Sequence, residues 1–411
     1  GVVLREKKMG SQIKTKKQQV CRAGDLVVAE MDAKFGGYGF IPDHLEGAIV
    51  SSHYYLYELD KNKITQEYFE MLIKTDFIQN QIEAKGSTNY SSIRAWEFLD
   101  YEIPLQSIAL QNIIAAKYLK HSRFKEDLGI ELNAQLKYLS QLRQRILQDA
   151  IEGKLTANWR VQHPDLISGD NHASKLLEKI KTEKERLIKK GKFKKDKPLE
   201  PISDDEKPFD LPDGWVWCRI GETGLVERGV TPEYCENSEK KILNQKCVRW
   251  NRIEVEWSKP VLPNWFNSLD KSSLTSTGHV LVNSTGEGTI GRAGVVNIGS
   301  EGLPFDTHVL RYRSIAGVVP VFLMYFINSS YGQNQVTKLK GAKTTKQTEL
   351  GVNNLCLFLF PLPSLSEQQE IVMRVNKLMD MIDELEKQVS ERKEQSKMLM
   401  QSVLREAFAK G

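Results

Sequence analysis

One order of short motifs occurs twice in this 411-residue chain, about 255 residues apart. Gly24-Asp-Leu-Val-Val matches Gly278-His-Val-Leu-Val, and Ser52-His53-Tyr-Tyr matches Thr307-His308-Val-Leu. Gln79-Asn80-Gln81 matches Gln333-Asn334-Gln335. Gly86 and its polar loop match Gly341-Ala-Lys-Thr-Thr-Lys-Gln347, and Ile103-Pro104-Leu-Gln-Ser107 matches Phe360-Pro361-Leu-Pro-Ser364. Self-similarity in a fixed order means that one structural unit is used twice, which gives the chain a pseudo-two-fold internal repeat. In the first copy, Gly24 to Val28 and the alternating run Ser51 to Tyr57 read as strands, and Thr65 to Lys85 reads as helical. A polar loop from Gly86 to Ser92, a strand to Ile103-Pro104 and a long helix follow. The fold class expected is therefore α+β, with each mixed domain leading into a long helix.

The second long helix carries the clearer pattern. Ser366, followed by Glu367, Gln368 and Gln369, is an N-terminal cap signal. Ile371, Val375, Leu378, Ile382, Leu385 and Val389 then advance by alternating steps of four and three, the seam of a coiled coil. No proline or glycine intervenes before Gly411, so the helix has room for about 40 residues, roughly 60 Å. A helix that long with one apolar stripe needs a partner. Ile114, Tyr118, His121, Lys125, Leu128, Leu132, Gln135, Leu139, Leu142 and Ile146 follow the same rule, with polar breaks.

Between the copies, Lys154 to Ser168 reads as irregular and Asn171 to Lys190 as helical. Four prolines among charges mark Lys192 to Pro212 as a linker. Leu211-Pro-Asp-Gly-Trp215-Val-Trp217 then opens the second copy. By the repeat spacing its counterpart would fall about 40 residues before Gly1, so the first domain is expected to start partway into its fold. The organisation expected is a first mixed domain over 1–108, a long helix over 109–153, a basic helix and linker over 154–210, a second mixed domain over 211–365 and a second long helix over 366–411.

Catalytic patterns are scarce. Five cysteines without CxxC pairing point to reduced thiols in a cytoplasmic setting rather than to a disulfide framework or a zinc site. Leu355 to Phe360 is too short to span a membrane and reads as a buried strand. There is no Walker A sequence, no Asn-Pro-Pro-aromatic or Asp-Pro-Pro-aromatic motif and no HExxH. Gly286-Glu-Gly288-Thr-Ile-Gly291 has dinucleotide-site spacing, with Asp306 about 20 residues on. Phosphate binding there needs a helix after the glycines. Arg292-Ala-Gly-Val-Val alternates as a strand instead, so a glycine-rich hairpin or loop is expected. The repeat-related His53 and His308 read as strand positions with satisfied rings.

Binding chemistry remains. A net charge of +5 permits a nucleic-acid partner without demanding one. The polar loops hold donors suited to phosphates and base edges: Lys343, Thr344, Thr345, Lys346 and Gln347 in one copy, and Lys85, Ser87, Thr88, Asn89 and Arg94 in the other. Lys34 and Arg292, beside the glycine-rich loops, and Arg249 and Asn251 in Arg249-Trp-Asn251-Arg252 are further candidates, as is Arg228. The lysines of 171–190 alternate with Glu178, Glu183 and Glu185, which suits a solvated face as well as a DNA backbone.

Leu211 to Trp217, Pro361-Leu-Pro-Ser-Leu-Ser-Glu367-Gln368-Gln369, and Gly153-Lys-Leu-Thr-Ala-Asn-Trp159-Arg160 together resemble the specificity subunits of type I restriction-modification systems. The resemblance implies two target-recognition domains, separated by two long antiparallel coiled-coil helices, each reading half of a split sequence in double-stranded DNA. It implies partners: two modification subunits that use S-adenosylmethionine to methylate adenine, and restriction subunits that use ATP and Mg2+ to cleave. It implies no catalysis or cofactor in this chain. Arg374, Lys377, Asp380, Glu384 and Lys387, on the outward face of the second helix, are then expected to dock modification subunits. Leu105-Gln-Ser-Ile-Ala-Leu-Gln111 departs from the family's Pro-Leu-Pro and Glu-Gln pattern. A two-domain scaffold that binds no DNA, and the specificity polypeptide of another bipartite restriction system, remain alternatives.

Overall fold

The structure is a computed structural model that describes residues 2–9, 17–82, 92–190, 199–342 and 348–409. The chain divides into two compact units, Gly1–Gln135 with Gln388–Gly411, and Leu136–Lys387.

In the first unit, Leu26–Ala29 lies between Tyr38–Phe40 and Tyr54–Tyr57 in an antiparallel sheet, with Leu26 opposite both Phe40 and Tyr57. Gln18–Val20 pairs separately with Ile49–Ser51. The single strand expected over 51–57 is thus two short strands parted by a turn at 52–53. The Thr65 hydroxyl accepts the Tyr68 N–H and starts helix Gln66–Ile73. That helix buries Tyr68, Phe69, Met71 and Leu72 among Leu26, Val28, Phe40, Ile114 and Ala115. Each such side chain contributes about 1.5–3 kcal/mol by leaving water. The helix stops at Ile73 and a short helix Asp76–Gln79 follows, so the helical stretch expected from Thr65 is broken at 74–75.

In the second unit, the sheet order is Ala293–Val295, Val280–Asn283, Val309–Ser314, Gly224–Arg228, all antiparallel. Helix Pro320–Asn328 is buried from Phe322 onward against this sheet, and Ser330–Leu339 follows it. Two sequence expectations are corrected. Residues 154–168 are largely helical, including Ala157–Gln162, because Trp159 finds a buried site. Buried Leu355 belongs to the short helix Val352–Cys356, and the strand begins only at Leu359, where it pairs with Val216–Arg219.

The repeat returns in hydrogen bonds. Gln81 donates to the Glu102 carbonyl at 2.8 Å and accepts the Glu102 N–H at 2.9 Å; Gln335 does both for Leu359, at 3.0 and 2.7 Å. Buried Gln111 accepts the Thr65 N–H and donates to the Lys63 and Gln106 carbonyls. Buried Gln368 accepts the Val319 N–H and donates to the Gly317 and Pro363 carbonyls. Buried polar groups must be paired, so the same amide fixes the start of each long helix on its own domain.

The long helices are Ile108–Ile151 and Leu365–Ala409. They run antiparallel. In the second unit Arg143 meets Asp383 and Glu386 while Thr156 meets Glu367; in the first, Lys393 reaches Asn133. The buried seam is Ile371, Val375, Met379, Ile382 and Val389, which differs from the expected heptad at two places. Leu378 is only half-buried, and Leu142 and Leu385 are 44% and 45% exposed. A straight helix turns every 3.6 residues, so a strict 3.5-residue stripe drifts by about 20° per heptad. At that level the contact passes to the next residue on each helix, as the Arg143–Glu386 ion pair at 3.0 Å.

Three segments that stood out in the sequence converge on one carboxylate. Glu367 is fully buried and accepts from Thr156 Oγ1 at 2.6 Å, Arg160 Nη1 at 2.5 Å and Trp215 Nε1 at 2.8 Å. In the first copy the residue before Gln111 is Leu110, which packs on that unit's apolar core. Among the described residues no helix is long and apolar enough to cross a membrane.

Candidate nucleic-acid interface

The second sheet ends in two loops that meet. Gly286, Gly288 and Gly291 all have positive φ, and strand Ala293–Val295 follows directly. The glycine motif is therefore a hairpin connection and opens no helix, so it lacks the helix N-terminus a dinucleotide needs. Beside it, Val248–Arg249 pairs with Arg252–Ile253 through a turn in which Asn251 takes φ 64°. Asparagine tolerates that left-handed geometry better than most residues. The turn is held by the Asn251 N–H, which donates to the Ala293 carbonyl at 3.1 Å, and by buried Asn328, which donates to Asn251 Oδ1 at 2.7 Å. Gly294 lets the strands approach: a Cβ there would lie 2.6 Å from the Arg252 carbonyl oxygen.

This packing gathers arginines and tryptophans on one surface. Arg292 Nη2 donates to the Gly288 carbonyl at 2.8 Å, and its guanidinium lies 5.7 Å from the Trp250 ring centre. Arg249 lies 5.3 Å from the Trp257 ring centre and donates from Nε to Glu254 Oε2 at 2.9 Å. Arg252 Nε donates to Glu254 Oε1 at 2.8 Å, and Trp257 Nε1 donates to Oε2 at 3.1 Å. Trp250 and Trp257 are 42% and 49% exposed. Hydrogen bonds from Arg252 and then Arg249 hold the Glu254 carboxyl below its ordinary pKa, against a smaller desolvation effect. Burial, with some repulsion from Arg249, lowers that of Arg292. Arg249, Arg252 and Arg292 share this surface with Glu254 and with exposed Glu256 and Glu287, and the stacked arginines present donors to phosphate and base edges.

The structure thus brings Arg249, Asn251 and Arg292 together, although the Asn251 side chain is turned inward. Lys343, Thr344, Thr345, Lys346 and Gln347 lie outside the described residues. The strands flanking them, Gly341–Ala342 and Thr348–Glu349, pair with each other, and Glu349 bridges to Thr285 beside the glycine loop. In the first unit, Lys85, Ser87, Thr88 and Asn89 also lie outside the described residues. Lys34 occupies the turn after Leu26–Ala29, where its carbonyl accepts from Gln79 Nε2 at 2.8 Å. Exposed Arg94 follows Ile93, whose N–H donates to the Glu30 carbonyl at the end of the same strand. Leu350 makes the matching bond to Ser284 in the second unit.

Other candidates serve the fold. Arg228 pairs with Glu349 and donates to the Thr307 carbonyl. His53 pairs with Glu30 at 2.6 Å and His308 with Thr285 at 2.9 Å, so both rings have partners. On helix Ala173–Lys189, Lys184 donates to the Gly221 carbonyl at 2.6 Å and Lys181 pairs with Glu222 at 2.8 Å. Lys377, Asp380, Glu384 and Lys387 are exposed on the second long helix. Arg374 is not on that outward face. It turns to the Leu155 carbonyl at 2.7 Å and to Glu370, because helix 157–162 and its approach pack there. Sequence reasoning missed Glu254 and Trp257, although tryptophans interleaved with arginines over 249–257 were a usable signal.

Comparison with known proteins bears on this surface directly. Residues 214–395 match the family model described as the type I restriction modification DNA specificity domain. The matched segment contains the whole arginine–tryptophan surface. The chain is similar to the specificity subunit of the type I restriction enzyme EcoEI of Escherichia coli, at 29% identity over 256 residues, covering 60% of this chain and 41% of the relative. It is 30% identical over 252 residues to the EcoAI specificity subunit of the same species, covering 59% and 40%. The chain thus spans about two fifths of the curated relatives it matches. Among solved structures, a chain from work on complex assembly and conformational transition of the type I R-M system matches with TM-score 0.63 at 18% identity, covering 98% of this chain and 86% of that one. The HsdS subunit from Thermoanaerobacter tengcongensis matches with TM-score 0.53 at 18% identity, covering 98% and 84%. These likenesses establish the fold: duplicated mixed domains, each leading into one of two long antiparallel helices.

Proposed function

We propose that this chain is the DNA-reading subunit of a type I restriction-modification complex. The exposed arginine–tryptophan surface at 249–292, inside the specificity domain, carries the reading. Guanidinium groups held on indoles can bond base edges and phosphates without first being ordered. One small domain discriminates only a few base pairs, each at about 1–3 kcal/mol. Two readers on one chain make the second contact intramolecular and multiply selectivity. The chain contributes no catalysis in this proposal. Methylation of adenine from S-adenosylmethionine belongs to two modification subunits, and ATP- and Mg2+-dependent cleavage to restriction subunits. Lys377, Asp380, Glu384 and Lys387 would face a modification subunit.

Titration of the purified chain with duplex DNA over a range of salt tests the reading. Binding should weaken with salt, with a logarithmic slope of about −0.9 for each phosphate neutralised. Absence of binding at every salt concentration would favour a scaffold that does not touch DNA, and salt-independent binding would rule out the phosphate contacts. With S-adenosylmethionine and DNA, the chain alone should transfer no methyl group.

A further inference from the structure

Glu254 does more than offset charge, and what it leaves unbonded is informative. Its own N–H is tied to the Cys247 carbonyl at 2.8 Å, so the carboxylate springs from a fixed backbone. Oε2 takes both the Nε of Arg249 and the indole N–H of Trp257, the ring on which Arg249 lies. One oxygen thus orders the arginine and its aromatic platform together. Arg249 is engaged through Nε alone. Its two terminal nitrogens make no hydrogen bond to any described residue, and its side chain is 31% exposed. A guanidinium fixed at Nε and on one face keeps its terminal pair available, the fork that matches guanine O6 and N7 in the major groove. Arg252 is placed differently. Its side chain is 70% exposed; Nε donates to Oε1 at 2.8 Å, and Nη2 lies in an ion pair 2.6 Å from the same oxygen. It suits a phosphate, which needs charge more than orientation.

Building on the DNA-binding role proposed above, we infer that Arg249 is a specificity-determining residue that reads one guanine, and that Glu254 is its positioning residue. Arg252 follows the backbone. The division of labour comes from geometry. The more enclosed arginine meets Glu254 through Nε, whereas the more exposed one brings its terminal Nη2 against the carboxylate.

The test uses the full chain and a duplex library with randomised positions, sequencing the bound fraction and titrating salt for each variant. Arg249→Lys keeps the charge but loses the fork. It should reduce preference for guanine at a single position by about 5- to 150-fold, the equivalent of one bidentate pair, with the salt slope unchanged. Glu254→Gln should relax the same position without weakening binding to random DNA. Arg252→Ala should leave every preference intact and lower the salt slope by about one phosphate. Thermal melts establish that each variant is folded. If folded Arg249→Lys and Glu254→Gln chains keep full preference at every position, or relax different positions, the assignment is wrong while DNA binding stands. A native chain that binds duplexes in a salt-dependent way but selects no base also overturns it. If the native chain binds no duplex at any salt, the DNA-binding role falls and this assignment falls with it.

Discussion

Replacing Glu367 by leucine is the sharpest test of how the second unit is held together. The side chain is fully buried and takes three donors at 2.5–2.8 Å. Arg160 is 13% exposed, so losing its carboxylate strands a charge that water barely reaches. Breaking a buried pair from one side costs about 3–5 kcal/mol. Thr156 keeps the Gly153 carbonyl and Arg160 as partners and should lose little. Trp215 Nε1 loses its acceptor, a penalty of about 1–3 kcal/mol that overlaps with the first because the same residue is removed. The variant should therefore lose about 3–5 kcal/mol, which for a unit of this size lowers its melting temperature by about 6–20 °C. Adding Arg160→Met removes the stranded charge and leaves mainly the orphaned indole. The double variant should then be destabilised by only about 1–3 kcal/mol. Leu110 supports this logic: in the first unit an apolar residue precedes the helix-starting glutamine and packs on the core. Calorimetry of the second unit's transition, with urea unfolding as a cross-check, gives both numbers. A single variant that costs less than about 1 kcal/mol, or a double variant less stable than the single, would refute the argument.

Three further outcomes are expected. Gly294→Ala places a methyl 2.6 Å from the Arg252 carbonyl, so the 248–253 hairpin must move. Stability should fall by about 1–3 kcal/mol and duplex affinity should drop although no charge is lost; unchanged affinity would separate the hairpin from the interface. Burial, together with Arg311 and Arg313, lowers the His279 pKa from 6.5 to about 4, and its Nδ1 accepts the Ser276 N–H. Between those values the unfolded chain takes up a proton that the folded chain refuses, so stability should decline as pH falls through that window, by about 1–2 kcal/mol once its partial exposure is allowed for. Chemical-denaturation curves of the native chain and His279→Gln, compared across that range, should differ in slope. A seven-residue insertion in each long helix adds about 10 Å, close to three base-pair rises, and methylome sequencing of cells carrying the full system should show a recognised spacer longer by about that amount.

Much of the fold was legible because it rests on periodicity and on repetition. Gln81 and Gln335 sit at matching places in two series, and the structure gives them equivalent backbone partners. What was misread depended on tertiary context. The run 51–57 alternates like one strand, yet a turn divides it, since alternation carries no information about pairing partners. The residues around Trp159 looked irregular because their helix is set by where that ring is buried. The heptad named Leu142 and Leu385, but integer steps of three and four conceal the drift of a 3.6-residue turn, and an ion pair fills the place they were given.

The binding surface was legible only in its cations. Arg249, Asn251 and Arg292 were found by residue type, but type alone did not separate their roles. Asn251 holds the turn, and its side chain is taken by Asn328. Glu254 escaped because a search for a DNA-binding face selects positive charge, and a carboxylate counts against it. Yet a flexible arginine loses conformational entropy on meeting a base, and a partner that orders it beforehand reduces that cost. A carboxylate that bonds the Nε of Arg249 and the indole beneath it gives up some attraction for phosphate in return for a fork held in one orientation. On this surface the residue of the wrong sign is the one that turns general affinity for DNA into a choice among bases.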